Sequence, residues 1–537
     1  MHDAQLRRRA FLRAVGAAAA ATAAGAEVTR SRAAQPAAKP NIILVLTDDQ
    51  GWTDTSVPMM RGRADSRSDF YRTPALERLT REGMVFSSAY APAPVCSPTR
   101  DSILYGQTPA HLHHAVLIGT ASPGEGALAL PQAIKAADAR YATAHFGKWG
   151  CTPKSPEAVG FDVSDGNTDN WHGDWRRLDG KKVPLPPDDP KRIFSLTRRA
   201  ADFMEQQVRA GRPFYMRISH YACHVGHQSL EGTREKVRAR LRGLKCIDGD
   251  YRDTGALPED VVRSGWMLNY AAMIEDLDSG FGMLLDKVDE LGIADNTYVI
   301  FTSDNGGGFR GNAPLRGGKA DLWEGGIRVP MVVRGPGVKR GTYCDVPVAG
   351  WDFWPTFREL AGGTGPLPPN VDGGSLVRLF EKGNAGTVKR REEALDFHFP
   401  WFDGVPESAI RLGRYKLMKN LNTGETRLFN LQRDIGETHD LSEAMPEKAR
   451  DLHNRLAAYL EAVGAETIEE NREKRVRQLR TFQARDEAEI ARLATQMAKA
   501  AEGQRAELQQ RIAQLQQRLQ GHIAAMQRLQ KGRLADW

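Results

Sequence analysis

Two pairs of oxygen-bearing residues stand out because each directly follows a short apolar run. Asn41-Ile-Ile-Leu-Val-Leu-Thr47 ends in Asp48-Asp49-Gln50-Gly51, and Thr297-Tyr-Val-Ile-Phe-Thr-Ser303 ends in Asp304-Asn305-Gly306-Gly307. Asp48, Asp49, Asp304 and Asn305 offer only oxygen ligands, and the adjacent glycines let the backbone bend closely around a centre. Such a set suits a hard cation, Ca²⁺ or Mg²⁺, better than zinc. Either pair alone would be ordinary turn or helix-cap chemistry; their recurrence at two matching run ends argues for a site. Two further runs carry other groups: residues 141–146 lead to Gly147-Lys148-Trp149, and residues 213–219 lead to His220 and His224. Cys96 stands in Pro94-Val95-Cys96-Ser97-Pro98-Thr99-Arg100. Ser97 as N-cap, Pro98 at the first helical position and Gly106 beyond the last turn predict a short helix with Cys96 just ahead of its N-terminus. The helix dipole favours an anion there. The spacing from Cys96 to Arg100 is too short for the phosphate cradle of a cysteine phosphatase.

These groups need a scaffold that brings distant segments together. Apolar β-rich runs alternate with helical segments, which predicts an α/β fold: a large, mostly parallel sheet sandwiched by helices. In open sheets of this kind ligands bind beyond the carboxyl ends of the strands, so four strand ends would aim carboxylates, an amide, a lysine and histidines at one crevice. The 537 residues suffice for about three units or one large domain with attachments, and 41% hydrophobic with 26% charged residues excludes collagen-like and wholly disordered chains. The net charge of +7 resides at the ends: residues 1–38 and 466–537 each carry +4, and the body 39–465 carries −1. Nucleic acid is therefore not an expected partner. No apolar run reaches the length that spans a bilayer, so no transmembrane segment is expected.

At the N-terminus, Arg7, Arg8, Arg9 and Arg13 surround Phe11 and Leu12, and an Ala-rich stretch ends in the small-residue site Ala24-Gly25-Ala26. This layout predicts an export signal over residues 1–38, similar to the twin-arginine type, and a periplasmic or secreted protein. Cys96, Cys151, Cys223, Cys246 and Cys344 contain no CxxC pair, so a structural zinc site is not expected. Were Cys96 used chemically, the other four could pair in three ways or not at all. Residues 466–537 repeat apolar positions at spacings of 3 and 4, which predicts an amphipathic helix or coiled coil, with Gly503 breaking it into an antiparallel hairpin. Two roles stay open for this extension, an appendage packed on its own body and a homo-oligomerisation element.

Taken in order, Pro40-Asn41-Ile-Ile-Leu-Val-Leu-Thr-Asp-Asp-Gln-Gly-Trp52, Cys96-Ser-Pro-Thr-Arg100, Gly147-Lys-Trp149, Ser219-His-Tyr-Ala-Cys-His224, Thr302-Ser-Asp-Asn-Gly-Gly307 and Pro314-Leu-Arg-Gly-Gly-Lys-Ala-Asp-Leu-Trp-Glu-Gly-Gly-Ile-Arg-Val-Pro330 resemble the type I sulfatase family, the arylsulfatase A-like group of the alkaline phosphatase superfamily. The resemblance implies an alkaline phosphatase-like catalytic domain over 39–380 and a smaller α+β subdomain over 381–465; the helical extension over 466–537 lies beyond it. It also implies that Cys96 is converted by a formylglycine-generating maturation enzyme to Cα-formylglycine. The hydrated aldehyde would offer one hydroxyl to attack sulfur and one to expel sulfate, splitting a hard displacement into two steps. Ca²⁺ (or Mg²⁺) is implied on Asp48, Asp49, Asp304 and Asn305, with the Cys96-derived group facing it, to polarise a sulfate oxygen. Arg100 would hold the hydrate and the metal-side carboxylates, Lys148 and Lys319 would neutralise sulfate oxygens, and His224 with Lys319 would protonate the leaving oxygen. His220, Trp149 and Trp323 are expected to pack.

Two positions depart from the family pattern. Gly150 replaces the histidine of Gly-Lys-Trp-His, a residue that helps deprotonate the formylglycine hydroxyl, and Tyr105 replaces a small residue. His145 is a candidate substitute, although strand alternation sets it on the face opposite Lys148. In the subdomain, residues 408–419 and 427–431 read as strands and 446–463 as a helix; Asp396-Phe-His-Phe-Pro-Trp401 leads into it, with His398 and Trp401 expected to touch a sugar ring. The function so implied is hydrolysis of sulfate monoesters, on a carbohydrate. The alternatives are a phosphonate monoester or phosphodiester hydrolase of the same superfamily and a catalytically silent sulfate-ester binding protein.

Overall fold

The computed structural model describes residues 39–178, 181–241, 265–308 and 312–530. The export-signal segment and Cys246 lie outside these residues. An eight-stranded sheet is built from β1 (Asn41–Thr47), β2 (Met84–Phe86), β3 (Ala142–Gly147), β4 (Val163–Ser164), β5 (Phe214–Ser219), β6 (Thr297–Ser303), β7 (Met331–Arg334) and β8 (Thr342–Cys344), in the order β8-β2-β7-β6-β1-β5-β3-β4. All its pairings are parallel except those of β7 with β2 and β6. The expected mostly parallel architecture is thus present.

Continuous apolar runs form the central strands because both faces of the sheet are covered. Helices α1 (Pro74–Glu82), α2 (Cys96–Tyr105), α3 (Leu130–Ala137), α4 (Ile193–Arg209), α5 (Gly265–Glu290) and α6 (Phe353–Leu360) provide the cover. Ile42, Leu44 and Leu46 pack with α2, α3 and α6, while Ile43 and Val45 pack with α1, α4 and α5. Each such side chain contributes about 1.5–3 kcal/mol by leaving water, and together they fix the register in which the polar strand ends emerge.

The subdomain is an antiparallel meander of β9 (Leu395–Phe399), β10 (Glu407–Leu412), β11 (Tyr415–Asn420) and β12 (Thr426–Asn430). Phe397, Phe399, Ala409, Met418 and Phe429 face the catalytic body, and Ile410, Leu417 and Leu428 face helix α7 (Pro446–Ala462). Lys416, fully buried, joins the two units through Leu322 O (2.7 Å), Glu324 (3.0 Å) and Glu437 (2.7 Å). Helices α8 (Ile468–Lys499) and α9 (Glu502–Gln530) form an antiparallel hairpin, paired by Arg518 Nε to Asp486 at 2.7 Å and Arg511 to Glu489 at 3.4 Å. The break falls at residues 500–501, where Ala500 turns extended, and Gly503 lies within the first turn of α9. Glycine lowers helix stability but does not have to end one. Cys96, Cys151, Cys223 and Cys344 are free thiols. Among the described residues no helix is long and apolar enough to cross a membrane.

Candidate active site

The exits of β1, β3, β5 and β6 converge. Asp304 N donates to Thr47 O (3.1 Å), and Asp48 N to Ala222 O (2.9 Å) in the loop that carries His224. Gly147, at φ 90°, turns so closely on Ser219 that no side chain would fit, which lets Lys148 N reach Ser219 O at 2.8 Å. Asp49 itself takes a left-handed conformation at φ 63° and donates its amide to Asp304 Oδ1 at 3.1 Å. This places the carboxylates of Asp48, Asp49 and Asp304 with ligating atoms all within 4.8 Å of one another.

Three cations balance three carboxylates. Arg100 donates to Asp304 Oδ2 from Nε (3.0 Å) and Nη2 (2.7 Å), and from Nη1 to Lys148 O (3.0 Å). Lys148 Nζ donates to Asp48 Oδ2 (2.6 Å). Lys319 Nζ reaches both oxygens of Asp49 (2.6 and 2.7 Å). Asn305 Nδ2 donates to Asp49 Oδ1 at 2.9 Å. Asp48, Asp304 and Arg100 form a fully buried floor, whereas His224 and Lys319, with side chains 17% and 19% exposed, stand at the mouth. Burial alone would raise the Asp48 carboxyl, but Lys148 and Arg100 hold it well below the usual range. Burial and the adjacent Asp48 charge push Asp304 up to about 6 despite Arg100. Burial lowers the pKa of His224, opposed by Asp48 and Asp49.

Helix α2 begins at Cys96 itself, two residues earlier than expected, with Val95 rather than Ser97 as its N-cap residue. The hydroxyl of Thr99 bonds back to both the N–H and the C=O of Ala93 (3.1 Å each), so the chain enters the helix before Ser97. One helical turn separates Cys96 from Arg100, which sets both on the same side of α2. Cys96 lies within electrostatic range of Arg100, Lys148 and Lys319. The loop carrying Lys319 is tied to the Cys96 loop by Ala320 N donating to Pro94 O at 2.9 Å.

The donor set fits a hard cation. Asp48 Oδ1 and Asn305 Oδ1 are buried without a hydrogen-bond partner, and buried oxygen atoms left in this way are uncommon unless an ion or water uses them.

His398 is not brought to this place. Phe397 and Phe399 face the catalytic body, so period-2 alternation turns His398 to the other side of β9. There it is buried, with Nδ1 2.7 Å from Ser408 Oγ and Nε2 2.7 Å from Glu466 O. Both ring nitrogens are engaged, and the expected sugar contact is corrected to a structural one. His398→Ala is accordingly expected to leave KM unchanged and to lower Tm, by about 1–3 kcal/mol of stability for the unpaired groups, as read by steady-state kinetics and thermal melts. Trp401 packs between Phe399 and Phe402. His145 packs against Trp149 and Phe161, ring centroids 5.0 and 5.6 Å away.

Gly150 borders the site. A Cβ there would lie 2.9 Å from Arg100 Cδ and 3.3 Å from Lys148 Cε, at φ +56°. Gly150→His is therefore expected to lower Tm and turnover together, with about 1–2 kcal/mol from the left-handed backbone alone; thermal melts beside aryl sulfate kinetics check this. Asn170, which no motif marked, has Nδ2 3.1 Å from His224 Nε2.

The Sulfatase family model matches residues 40–363, and the model for the C-terminal part of N-sulphoglucosamine sulphohydrolase matches residues 318–465. The first match spans more than half of the sequence. The chain belongs to the sulfatase family. This sulfatase is 28% identical to a sulfatase of Formosa agariphila over 79% of this chain and 89% of the relative. It is 27% identical to the N-acetylgalactosamine-6-sulfatase of Homo sapiens, over 72% of each chain. Among solved structures, Ps i-CgsB in complex with k-i-k-neocarrahexaose superposes with a TM-score of 0.63 at 25% identity, covering 79% of this chain and 93% of that one. The sulfatase is an enzyme of the sulfuric ester hydrolase class.

Proposed function

We propose that this sulfatase hydrolyses sulfate monoesters of a carbohydrate, using a formylglycine made from Cys96 and a Ca²⁺ held by Asp48, Asp49, Asp304 and Asn305, with Mg²⁺ as the alternative ion. The observation that carries the reading is the cluster itself: three carboxylates at converging strand ends, paired with Lys148, Lys319 and Arg100, the last on the helix that begins with Cys96. The carbohydrate class is supported by the sugar sulfatase among the relatives and the hexaose-bound neighbour. When present, formylglycine supplies a geminal diol and Ca²⁺ a Lewis acid.

The residues of the chain have the following parts. Arg100 spans the Asp304 carboxylate and the Lys148 carbonyl, keeping the floor in one arrangement. Lys148 and Lys319, each resting on a carboxylate, exchange that partner for sulfate oxygens when substrate enters and stabilise the charge that builds on them. His224 and Lys319, at the mouth, stand on the side from which the alcohol leaves, and pass a proton to its oxygen. The buried floor excludes water and strengthens each of these interactions.

Mass spectrometry of the tryptic peptide spanning residues 82–100, from a host with an active formylglycine-generating enzyme, tests this directly. An aldehyde at Cys96 with turnover of an aryl sulfate in preference to an aryl phosphodiester is expected. An unmodified thiol and no turnover, with the maturation enzyme shown to work on a control protein, would favour a sulfate-ester binding protein.

A further inference from the structure

A cavity of about 360 Å³ lies at the seam between the catalytic body and the four-stranded subdomain, outside the cluster of carboxylates and cations described above. That volume falls in the range of small-molecule sites. Strand register and a single loop fix its two walls. On the subdomain side, Glu407 pairs with Asn420 and Met418 with Arg427 across the antiparallel strands, so these four side chains share one face of the sheet. It is the face on which Met418 packs toward the body. On the body side stand Arg316, Asp321 and Trp323, from the loop that carries Lys319. Gly318 donates its amide to both oxygens of Asp321 (3.2 and 3.1 Å), and Asp321 follows Lys319 by two residues, at most about 7 Å of chain. One short loop thus presents Lys319 to Asp49 and Asp321 to the cavity.

The lining carries both signs and sums to no net charge, with Arg316 and Arg427 against Glu407 and Glu425. Burial, opposed by the Gly318 amide and aided by the Glu407 charge, pushes Asp321 up to about 8, so at pH 7 it is mostly a neutral carboxyl that both donates and accepts. A small anion would meet two carboxylates and a small cation two guanidinium groups, and neither is selected. Hydrogen-bonding capacity is left over. Among the described residues Asn420 uses only Oδ1, on the amides of Asn422 (2.9 Å) and Thr423 (3.1 Å), which leaves Nδ2 open. Glu407 uses only Oε2, on Leu322 N at 3.2 Å, and Arg427 only Nε, on Glu425 at 2.9 Å. Interleaved donors and acceptors match hydroxyl groups, each of which is both at once. Val405, Met418 and the ring of Trp323 add apolar surface, the ring held by Arg316 at 3.7 Å and Phe429 at 5.6 Å. A sugar ring, uncharged, with C–H groups on its faces and O–H groups around its edge, satisfies both kinds of wall.

We propose that this cavity is a subsite for an uncharged sugar unit of the substrate, occupied while a sulfated unit of the same saccharide chain presents its ester to the pocket. The substrate class is then an oligosaccharide that contains unsulfated as well as sulfated units, not a single sulfated sugar. This rests on the sulfate-ester reading of the pocket, since one chain must reach both places.

Val405 is 54% exposed at the rim and can be changed without disturbing the core. The test compares the wild type with Val405→Trp, which fills the cavity, with Val405→Ala, which leaves it open, and with Arg427→Gln, which removes a donor. kcat/KM is measured for an aryl sulfate, for sulfated hexoses and hexosamines, and for tetrasaccharides that carry one such sulfated unit, beside thermal melts and calorimetric titration with the unsulfated tetrasaccharides. The wild type is expected to favour a tetrasaccharide over its monosaccharide ester by roughly tenfold, the worth of one or two net hydrogen bonds. Val405→Trp and Arg427→Gln are expected to lose that preference through KM and to stay within about twofold of wild type on the aryl sulfate, whereas Val405→Ala keeps it. If Val405→Trp lowers Tm, Arg427→Gln alone decides. Equal loss on all substrates, or a preference that survives both variants, overturns the proposal. A wild type without the preference overturns it too, and unsulfated tetrasaccharide binding that Val405→Trp abolishes would then place a separate sugar in the cavity. Should the wild type turn over no sulfate ester, the pocket reading fails by itself; binding of an unsulfated tetrasaccharide that both variants weaken would still support a sugar site in the cavity, and absence of such binding would reject it.

Discussion

Cys96→Ala is expected to lower kcat for an aryl sulfate by on the order of 10⁴-fold or more, the range found when a covalent nucleophile is removed, with little change in Tm. The second half of the expectation comes from the structure. Cys96 is the first residue of α2, and the helix start is secured by Thr99 bonding to Ala93 rather than by the Cys96 side chain. Alanine keeps the helix geometry and removes only the sulfur. Arg100, Lys148 and Lys319 keep their carboxylate partners, so binding of a sulfate ester is expected to persist while turnover stops. Steady-state kinetics beside equilibrium binding of a slow ester separate the two. A Cys96→Ala enzyme with near wild-type kcat would remove Cys96 from the reaction.

Asp304→Ala is expected to abolish turnover and destabilise the fold together, by about 3–5 kcal/mol, the usual cost of stripping one partner from a buried ion pair. Arg100 is fully buried and gives two of its three described hydrogen bonds to Asp304 Oδ2. Without that carboxylate the guanidinium keeps the Lys148 carbonyl and a distant Asp48, 4.0 Å away. Chelation of the metal is expected to act differently: activity is lost and returns with added Ca²⁺, but Tm falls less than in Asp304→Ala. The reason is that Lys148 and Lys319 already rest on Asp48 and Asp49, so the carboxylates stay neutralised without the ion. Thermal melts of wild type with and without chelator, set against the variant, decide this; equal Tm losses would mean that the metal, and not Arg100, is the main partner of Asp304.

How much of this could be read in the sequence differs from residue to residue. Asp48, Asp49, Asp304 and Asn305 were legible because a strand buried on both faces is a continuous apolar run, and its end is marked by the first polar residues. Cys96 and Arg100 were legible as one helical turn. The His398 contact was not. Its strand alternates cleanly, but both faces of that small sheet are covered, one by the body and one by α7, so alternation could not say which face met the pocket. Asn170 carried no signal, since a lone amide in a loop acquires a role only by being placed 3.1 Å from His224.

The sequence by itself determined the chemistry available to this sulfatase: an all-oxygen ligand set, a cysteine one turn ahead of an arginine, two lysines and a histidine, on an α/β scaffold with a helical extension. The strand-end residues and the Cys96–Arg100 turn follow from local rules of period, capping and ligand hardness, which act over a few residues, whereas Lys319 was marked only by the resemblance to the family. Tertiary structure decided the partners, Lys148 on Asp48, Lys319 on Asp49 and Arg100 on Asp304, and it took His398 out of the site and left Gly150 against Arg100. Those outcomes depend on which of two faces a segment turns inward and on contacts between residues up to 270 positions apart, and only packing of the whole sheet resolves them.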